Sequence, residues 1–243
     1  MLRILGTPWR NPVLKISSEG TSSRHNDPCI PQYLVYPVQW LDVPREHLDD
    51  EPALIDFGES FEIAHPPEEL GIPGPYRAPE LILDRTAGIG SDLWALACTL
   101  FELRTGRKLF TSFDDDDDEY LGAMVKAFGK LPEPWWSTTW EGRKIMFKDD
   151  EIDENGMVIA LDSEVEEDAA FIFHPSVARG ARSIKEKLAA GLWYTPELRG
   201  EVHREIPQEE IDVFADLLGK LLRYDPKERI SAAAVLDHEW FKM

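Results

Sequence analysis

Apolar residues recur at helical spacing along residues 91–106, SDLWALACTLFELRTG. Five of them fall on one stripe of a helix: Leu93, Leu96, Ala97, Leu100 and Leu103. Ser91 or Asp92 can cap the start of this helix, and Gly106 can end it. Because the stretch is apolar almost all round, the pattern predicts a helix buried at the centre of the fold.

Further helices are predicted towards the carboxyl end. Residues 113–132, FDDDDDEYLGAMVKAFGKLP, predict an acidic loop that runs into a helix ending near Gly129. Residues 207–226 predict a helix with Pro207 in its first turn, and a last short helix opens at Ser231. These segments predict a mainly α fold.

The remaining pattern predicts little regular structure. Residues 1–52 are rich in Pro, Ser, Asn and Asp, with one strand-like run, QYLVYPVQW, that Pro37 would confine to an edge or break. A short strand is predicted from Ala53 to Phe57, and residues 64–75 contain too much Pro and Gly for a regular helix. Residues 133–205 predict an acidic, irregular insert. Three tryptophans are expected to form its core: Trp135, Trp136 and Trp140.

Composition narrows the class of protein. A formal net charge of −20 over 243 residues argues against general binding to nucleic acid or anionic membranes, and it would attract basic partners. Cys29 and Cys98 are far apart, so neither a disulfide framework nor a zinc site is indicated. The longest apolar stretch, LWALACTLFEL, contains Glu102 and is too short to cross a bilayer. We expect a soluble protein of the cytoplasm, the nucleus or both.

Four motifs follow one another along the chain. They are ALIDFGES at 53–60, YRAPELI at 76–82, SDLWALACTLFELRTGRKLF at 91–110 and LLRYDPKERISAAAVLDHEWF at 221–241. In this order and at these spacings they resemble the large, mostly helical lobe of eukaryotic protein kinases. The resemblance implies an irregular segment at 1–52 that lies between the catalytic loop and Asp-Phe-Gly, followed by a kinase-like C-terminal lobe at 53–243 that carries the insert.

The resemblance implies a role for each motif. Asp56 would bind the Mg²⁺ that bridges the ATP phosphates, with Phe57 packed under it and Gly58 supplying backbone freedom. The alternative for Asp56 is a loop residue that caps a turn. Glu80 and Arg229 would form a buried ion pair that ties the end of the activation segment to the last helices.

Asp92 resembles the kinase Asp that accepts hydrogen bonds from the catalytic-loop backbone, and it can equally be a helix N-cap. The structural kinase motif comprises Tyr76, Arg77, Ala78, Pro79, Glu80, Asp92, Trp94 and Arg229.

Within the kinases, the Ala97–Cys98 pair, FELRTGRKLF, the acidic run and GKLP resemble the SR-protein kinases of the CMGC group. Those enzymes phosphorylate serines in arginine/serine-rich segments. DFG and YRAPE are the general kinase forms, whereas well-known SR-protein kinases vary at both motifs. The resemblance therefore implies a divergent branch of that group. The partner implied is an arginine/serine-rich or other basic protein, with neither nucleic acid nor membrane.

An acidic run follows the central helix. Its members are Asp114, Asp115, Asp116, Asp117, Asp118 and Glu119. Since arginine pairs well with clustered carboxylates, the run is a candidate docking surface for an arginine-rich substrate. The alternative is a solvated loop that serves solubility.

Kinases carry a Gly-rich loop, a strand-borne Lys with its Glu partner, and a catalytic loop of the form H-R-D followed by Asn, all before Asp-Phe-Gly. The nearest candidate here, SSEGTSSRHNDP, has Arg24, His25, Asn26 and Asp27 in the wrong order. No catalytic-loop Asp is identified. The sequence therefore predicts a truncated kinase without its small, ATP-binding lobe and inactive alone. The alternative is a non-catalytic module that binds basic or SR-type partners.

Overall fold

The computed structural model describes residues 14–15, 33–34, 43–44, 46, 54–67, 70–154, 156–161, 183–194 and 202–243. The chain divides into two compact units, Met1–Gly58 and Glu59–Met243. In the first unit, strand β1 (Leu14–Lys15) pairs antiparallel with β2 (Tyr33–Leu34).

The strand predicted from Ala53 to Phe57 is wrong over its described part. Leu54 to Asp56 have no regular structure, and a 3-10 turn follows at Phe57–Glu59. Leu54 is 87% exposed and Ile55 is 67% exposed. Apolar, β-forming residues specify a strand only where a neighbouring strand and a core are present to pair with them.

The second unit is mainly helical in its described residues. Its α-helices are α1 (Pro79–Leu83), α2 (Ile89–Thr105), α3 (Asp117–Phe128), α4 (Arg143–Met146), α5 (Ile184–Ala189), α6 (Gln208–Leu221) and α7 (Ala232–Leu236). Shorter helical turns lie at Gly74–Tyr76, Trp135–Thr139, Pro226–Glu228 and Glu239–Lys242. None of the helices in the described ranges is long and apolar enough to cross a membrane.

Two antiparallel hairpins interrupt the helices and correct the prediction of an irregular insert. Strand β3 (Phe147–Ile152) pairs with β4 (Val158–Ala160), and β5 (Leu192–Tyr194) pairs with β6 (Val202–Arg204). The turn of the first hairpin is closed by the Asp153 carboxylate, which accepts a hydrogen bond from the Met157 amide at 2.9 Å. The strand FKDDEI lacks the apolar alternation that marks a half-buried strand, so the pattern did not reveal it.

The predicted central helix is confirmed as α2, although its orientation differs from the prediction. The side chains that it buries belong to Ser91, Leu93, Trp94, Ala97, Cys98, Phe101 and Thr105. Leu103, predicted on the buried stripe, is 75% exposed. A helix that is apolar almost all round has no polar face to mark its exposed side. The pattern therefore predicted burial without showing which face is turned inward.

The ends of α2 also differ in part from the prediction. The helix begins at Ile89 with Gly88 at the N-cap, so Ser91 and Asp92 lie inside its first turn and do not cap it. Gly106 ends the helix as predicted, in the left-handed conformation with φ of 73°. Glycine adopts this conformation without steric cost, which explains the stop.

Aromatic rings join α2 to the rest of the core. Trp94, fully buried on α2, stacks on Phe110 with ring centroids 5.7 Å apart and meets Phe128 of α3 edge-on at 6.1 Å. Tyr224, which follows α6, meets Phe128 edge-on at 6.2 Å. These contacts place the start of α2 at the junction of α3 and the segment after α6.

The tryptophan cluster is core, as predicted. Trp136 and Trp140 meet edge-on at 6.0 Å, and both rings contact Phe147 at about the same separation. Trp135 is also buried, and its indole nitrogen donates to Asp84 at 2.8 Å. The insert therefore packs on the segment that follows α1.

Candidate functional site

The Asp-Phe-Gly segment lies in the first unit, and its backbone departs from what the resemblance implies. Asp56 has a φ of 61°, in the left-handed region that few non-glycine residues adopt. Gly58 does not have a positive φ, so the unusual conformation falls on the carboxylate residue itself. Phe57, which the resemblance places under Asp56, is 66% exposed.

Asp56 provides one exposed carboxylate for a metal. No group of three His, Cys, Asp or Glu side chains within the described residues is arranged to hold a metal ion. Mg²⁺ keeps several waters and is commonly bound by one or two carboxylates together with substrate phosphates. Asp56 therefore fits magnesium only as one ligand beside nucleotide phosphates, and it does not form a metal site alone.

The second unit contains the predicted ion pair between Glu80 and Arg229. The two guanidinium amino groups of Arg229 donate to the two carboxylate oxygens of Glu80 at 2.6 and 2.7 Å. The side chains are 0% exposed for Arg229 and 5% for Glu80. A two-point pair of this kind fixes orientation as well as distance.

Additional hydrogen bonds satisfy both charges. Arg229 also donates to the backbone carbonyls of Gly90 at 2.7 Å and Arg223 at 2.8 Å. The Ser91 hydroxyl donates to Glu80 at 3.2 Å, and the guanidinium lies 5.0 Å from the centre of the Trp94 ring. A buried charge requires such partners, since desolvation is otherwise unfavourable. The pair thereby connects α1, the first turn of α2 and the segment after α6.

Local sequence places each partner of the pair. Pro79 opens α1, where its fixed φ suits the first helical position, and Glu80 follows it in the first turn. On the other side, the Asp225 carboxylate accepts a hydrogen bond from the Lys227 amide and starts the short helix before Arg229. Glu80 therefore lies in the first turn of a short helix, and Arg229 directly follows another.

Tyr76 is held from the side of α2. Its hydroxyl donates to the carboxylate of Glu102, and this hydrogen bond, followed by burial, raises the pKa of Tyr76 to about 12. The Lys108 ammonium lies 5.9 Å from the centre of the Tyr76 ring. The sequence motifs did not identify Glu102 as a functional residue, although a lone carboxylate in an apolar helix indicates a buried polar partner.

The next motif residue, Arg77, reaches α3. Its guanidinium pairs with the Asp117 carboxylate, and its other amino group donates to the Ile72 carbonyl at 3.1 Å. Asp92, by contrast, is exposed in the first turn of α2, where a negative charge is favourable to the helix dipole.

The acidic run leads into α3, and its members from Asp116 onward form the N-cap and first turn of that helix. Asp116 is the N-cap, and its carboxylate accepts from the amides of Asp118 at 2.7 Å and Glu119 at 3.1 Å. Asp118 accepts from the indole nitrogen of Trp140 at 2.7 Å. Three acidic residues then lie in the first turn, where the helix dipole favours them.

Most of the run is engaged within the fold. The Asp115 carboxylate accepts from the Tyr120 hydroxyl at 2.9 Å, and the Glu119 carboxylate accepts from the Phe113 amide at 2.7 Å. Asp114 is exposed and makes no hydrogen bond with any residue in the described ranges. The structure thus shows that the carboxylates differ in how open they are to a partner.

A cavity of about 250 Å³ opens between the YRAPE segment and the start of α3. Its apolar wall comes mainly from Leu70, Ile72, Leu81 and Ile82. Arg77 and Asp117, the ion pair described above, line it as well. The motif arginine and one member of the acidic run, Asp117, therefore line one concave surface.

Comparisons with known proteins all indicate the same protein family. The protein kinase domain model matches residues 46–241. The serine/threonine-protein kinase AFC3 of Arabidopsis thaliana is 31% identical over 189 residues, which is 78% of this chain and 40% of that protein. The serine/threonine-protein kinase SKY1 of Saccharomyces cerevisiae is 25% identical over 172 residues, 69% of this chain and 19% of that protein.

A further similarity extends to another kinase type. The dual specificity tyrosine-phosphorylation-regulated kinase mbk-2 of Caenorhabditis briggsae is 28% identical over 167 residues, 69% of this chain and 18% of that protein. The chain thus spans less than half the length of these relatives. Because the kinase domain model covers most of the chain and the motif residues meet in the buried ion pair, the chain belongs to the eukaryotic protein kinase family.

Proposed function

We propose that this chain is the large lobe of a serine/threonine kinase that transfers the γ-phosphoryl group of ATP to serines of arginine/serine-rich proteins. The observation that carries the proposal is the Glu80–Arg229 pair, buried at the end of the YRAPE segment in a chain of the kinase family. Pairs of this kind hold the segment in one conformation, which substrate positioning requires.

Magnesium and ATP enter the proposal through the family, which generally uses both. Asp56 would supply one carboxylate to Mg²⁺, and the metal would neutralise charge on the phosphates. Within the 243 residues, no stretch resembles the kinase Gly-rich loop, the strand that carries the ATP-binding lysine, or the catalytic loop. We therefore expect no phosphate transfer from these residues alone, since positioning and charge stabilisation supply nearly all of this catalysis.

The acidic run supports a basic substrate. The Asp117 side chain is 49% exposed, and Asp114 is exposed without a hydrogen bond from the described residues. Asp114 is the carboxylate most open to an arginine, because Asp116 and Asp118 already accept hydrogen bonds from the fold and Asp117 is paired with Arg77. Salt screens the attraction between exposed charges, so docking of this type weakens as the salt concentration rises.

The second candidate function is a non-catalytic module that binds basic or SR-type proteins. Within the described residues no group of three His, Cys, Asp or Glu side chains is arranged to hold a metal ion. This favours the second candidate, because one carboxylate such as Asp56 does not hold a nucleotide without further groups. The two candidates share the docking surface and differ in phosphate transfer.

The first experiment concerns the message that encodes the chain. An in-frame upstream segment that encodes a Gly-rich loop and H-x-D-x-x-x-x-N supports the kinase. The encoded full protein should then transfer radiolabelled phosphate to an arginine/serine-rich peptide, and Asp56→Ala should abolish transfer while the surface variant Asp237→Ala retains it. A full protein that carries these motifs and yet fails to transfer phosphate contradicts the catalytic proposal.

The second experiment uses the 243 residues alone. We expect them to bind the arginine/serine-rich peptide at low salt, to bind it more weakly at high salt, and not to phosphorylate it. Asp114→Asn should weaken binding, whereas Glu154→Gln, an equal charge change on the insert hairpin, should not. Binding that is absent or insensitive to salt contradicts the docking surface. Transfer that Asp56→Ala abolishes contradicts the inactivity of these residues alone.

A further inference from the structure

The Arg77–Asp117 ion pair joins the YRAPE segment to the acidic run. The Arg77 side chain is 22% exposed and the Asp117 side chain is 49% exposed. Because Arg77 also donates to the Ile72 carbonyl at 3.1 Å, it connects the backbone of its own segment to the first residue of α3. One arginine side chain therefore links the two motif regions.

A second contact between the same regions is buried and independent of that ion pair. A Cβ added to Gly74 would lie 2.3 Å from a carboxylate oxygen of Asp115 and 2.3 Å from the Tyr120 ring. Tyr120 is 3% exposed, and its hydroxyl donates a hydrogen bond to the Asp115 carboxylate. The segment and α3 therefore remain packed together when Arg77 moves, since this contact does not involve it.

The ion pair also lies on the cavity of about 250 Å³ whose wall includes Ile72 and Leu81. Departure of Arg77 from Asp117 would free one carboxylate and one guanidinium at the edge of this cavity. An ion pair of this exposure changes an equilibrium by about fivefold or less, so an incoming guanidinium can compete with it.

We propose that the Arg77–Asp117 pair is a displaceable latch, in which Arg77 occupies the carboxylate that an arginine of a basic peptide takes on docking. The proposal rests on the docking function proposed above and adds its regulation. The peptide arginine replaces Arg77 on Asp117, and the released Arg77 loosens the segment from Ile72 to Arg77 while Gly74 stays packed on Tyr120.

The latch makes opposite predictions for its two members. Arg77→Gln empties Asp117, so the 243-residue chain should bind an arginine/serine-rich peptide about twofold to fivefold more tightly. Asp117→Asn removes the shared carboxylate and should weaken binding by a similar factor. Lys108→Gln is the matched control for charge, since Lys108 lies at the neighbouring Tyr76 ring and is not paired with the run. The tightening in Arg77→Gln should exceed that in Lys108→Gln.

Hydrogen exchange of the backbone amides of residues 72–78 provides a measurement without the peptide. Asp117→Asn should speed exchange there by about twofold to fivefold, whereas Asp114→Asn should leave it unchanged. Addition of the peptide to the unaltered chain should speed exchange of the same amides, and it should have no further effect in Asp117→Asn. Thermal unfolding of each variant separates these effects from general destabilisation.

The outcomes separate the latch from the docking function. Peptide binding with unchanged or slower exchange at residues 72–78, or equal affinities of Arg77→Gln and Lys108→Gln, overturns the latch and leaves docking intact. Absence of peptide binding by the unaltered chain overturns docking, and with it the displacement. Equal exchange in Asp117→Asn and Asp114→Asn shows that the ion pair does not hold the segment, whatever the peptide does.

Discussion

Glu80 and Arg229 are 149 positions apart in the chain, and they are joined by two hydrogen bonds of 2.6 and 2.7 Å in an environment that excludes water. Removal of one partner leaves the other charge buried and unpaired. Arg229→Ala should therefore lower the free energy of unfolding by about 3–5 kcal/mol. Urea denaturation followed by tryptophan fluorescence measures this loss.

The exposed pair between Lys185 and Asp212 is the matched control. Its atoms are 2.6 Å apart, but the side chains are 59% and 50% exposed. Lys185→Ala should cost about 0–1 kcal/mol. Similar losses in the two variants would show that the burial of the Glu80–Arg229 pair does not determine its contribution.

The two faces of α2 should respond differently to truncation. Phe101 is 2% exposed and Leu103 is 75% exposed, although both belong to the apolar run of that helix. Phe101→Ala should lower the free energy of unfolding by about 3–5 kcal/mol through lost burial and a cavity. Leu103→Ala should change it by about 0.5 kcal/mol or less. A larger loss in Leu103→Ala would mean that this face packs against protein in solution.

Two glycines should give effects of opposite sign when changed to alanine. A Cβ on Gly106 would lie 1.8 Å from the backbone oxygen of Trp193, and the residue has a φ of 73°. Gly106→Ala should destabilise the fold by more than about 1 kcal/mol. Gly219, within α6, has nothing within 4 Å of the same added atom. Gly219→Ala should stabilise by about 0.4–1 kcal/mol, and thermal denaturation measures both.

Acid should weaken the contact between Arg104 and Glu210. Arg104 donates two hydrogen bonds to this carboxylate at 2.5 and 2.7 Å, and these hold the pKa of Glu210 below its ordinary value, although burial opposes the shift. A carboxyl whose pKa is lower in the folded state stabilises the fold above the unfolded-state pKa. That stabilisation is lost as the pH falls through the folded-state pKa.

The measurement is the stability of the unaltered chain and of Glu210→Gln between about pH 7 and about pH 3. The difference between them should shrink as the pH falls, because protonated Glu210 no longer attracts Arg104. Glu209→Gln, the exposed neighbour on the same helix, controls for the change in net charge. A difference that stays constant with pH would contradict a charged pair.

The parts of the fold that the sequence predicted are those fixed by local pattern or by motif. The apolar run at 91–106 predicted α2, and Gly106 predicted its end, because the glycine conformation is a local requirement. The partner of Glu80 was predicted from the kinase motifs, since no local pattern relates it to Arg229.

The parts that it missed depend on distant residues. The buried face of α2 is chosen by the rings of Phe110 and Phe128, which an all-apolar run does not encode. The β3–β4 hairpin lacks alternation, because β3 carries charged residues along its length. Three carboxylates of the acidic run contact Tyr120, Trp140 and Arg77, and tertiary packing determines which carboxylate contacts which partner. A run of consecutive aspartates in the sequence does not distinguish these roles.

Helix capping by the acidic run has a consequence for sequence divergence. Asp116 acts through one side-chain oxygen on backbone amides, which asparagine, serine or threonine also provides. In descendants of this chain, position 116 should therefore exchange among these four residues, and position 118 should keep an acceptor for the Trp140 indole. Position 114 has no such constraint within the described residues, so it should drift most freely unless a binding partner selects its charge.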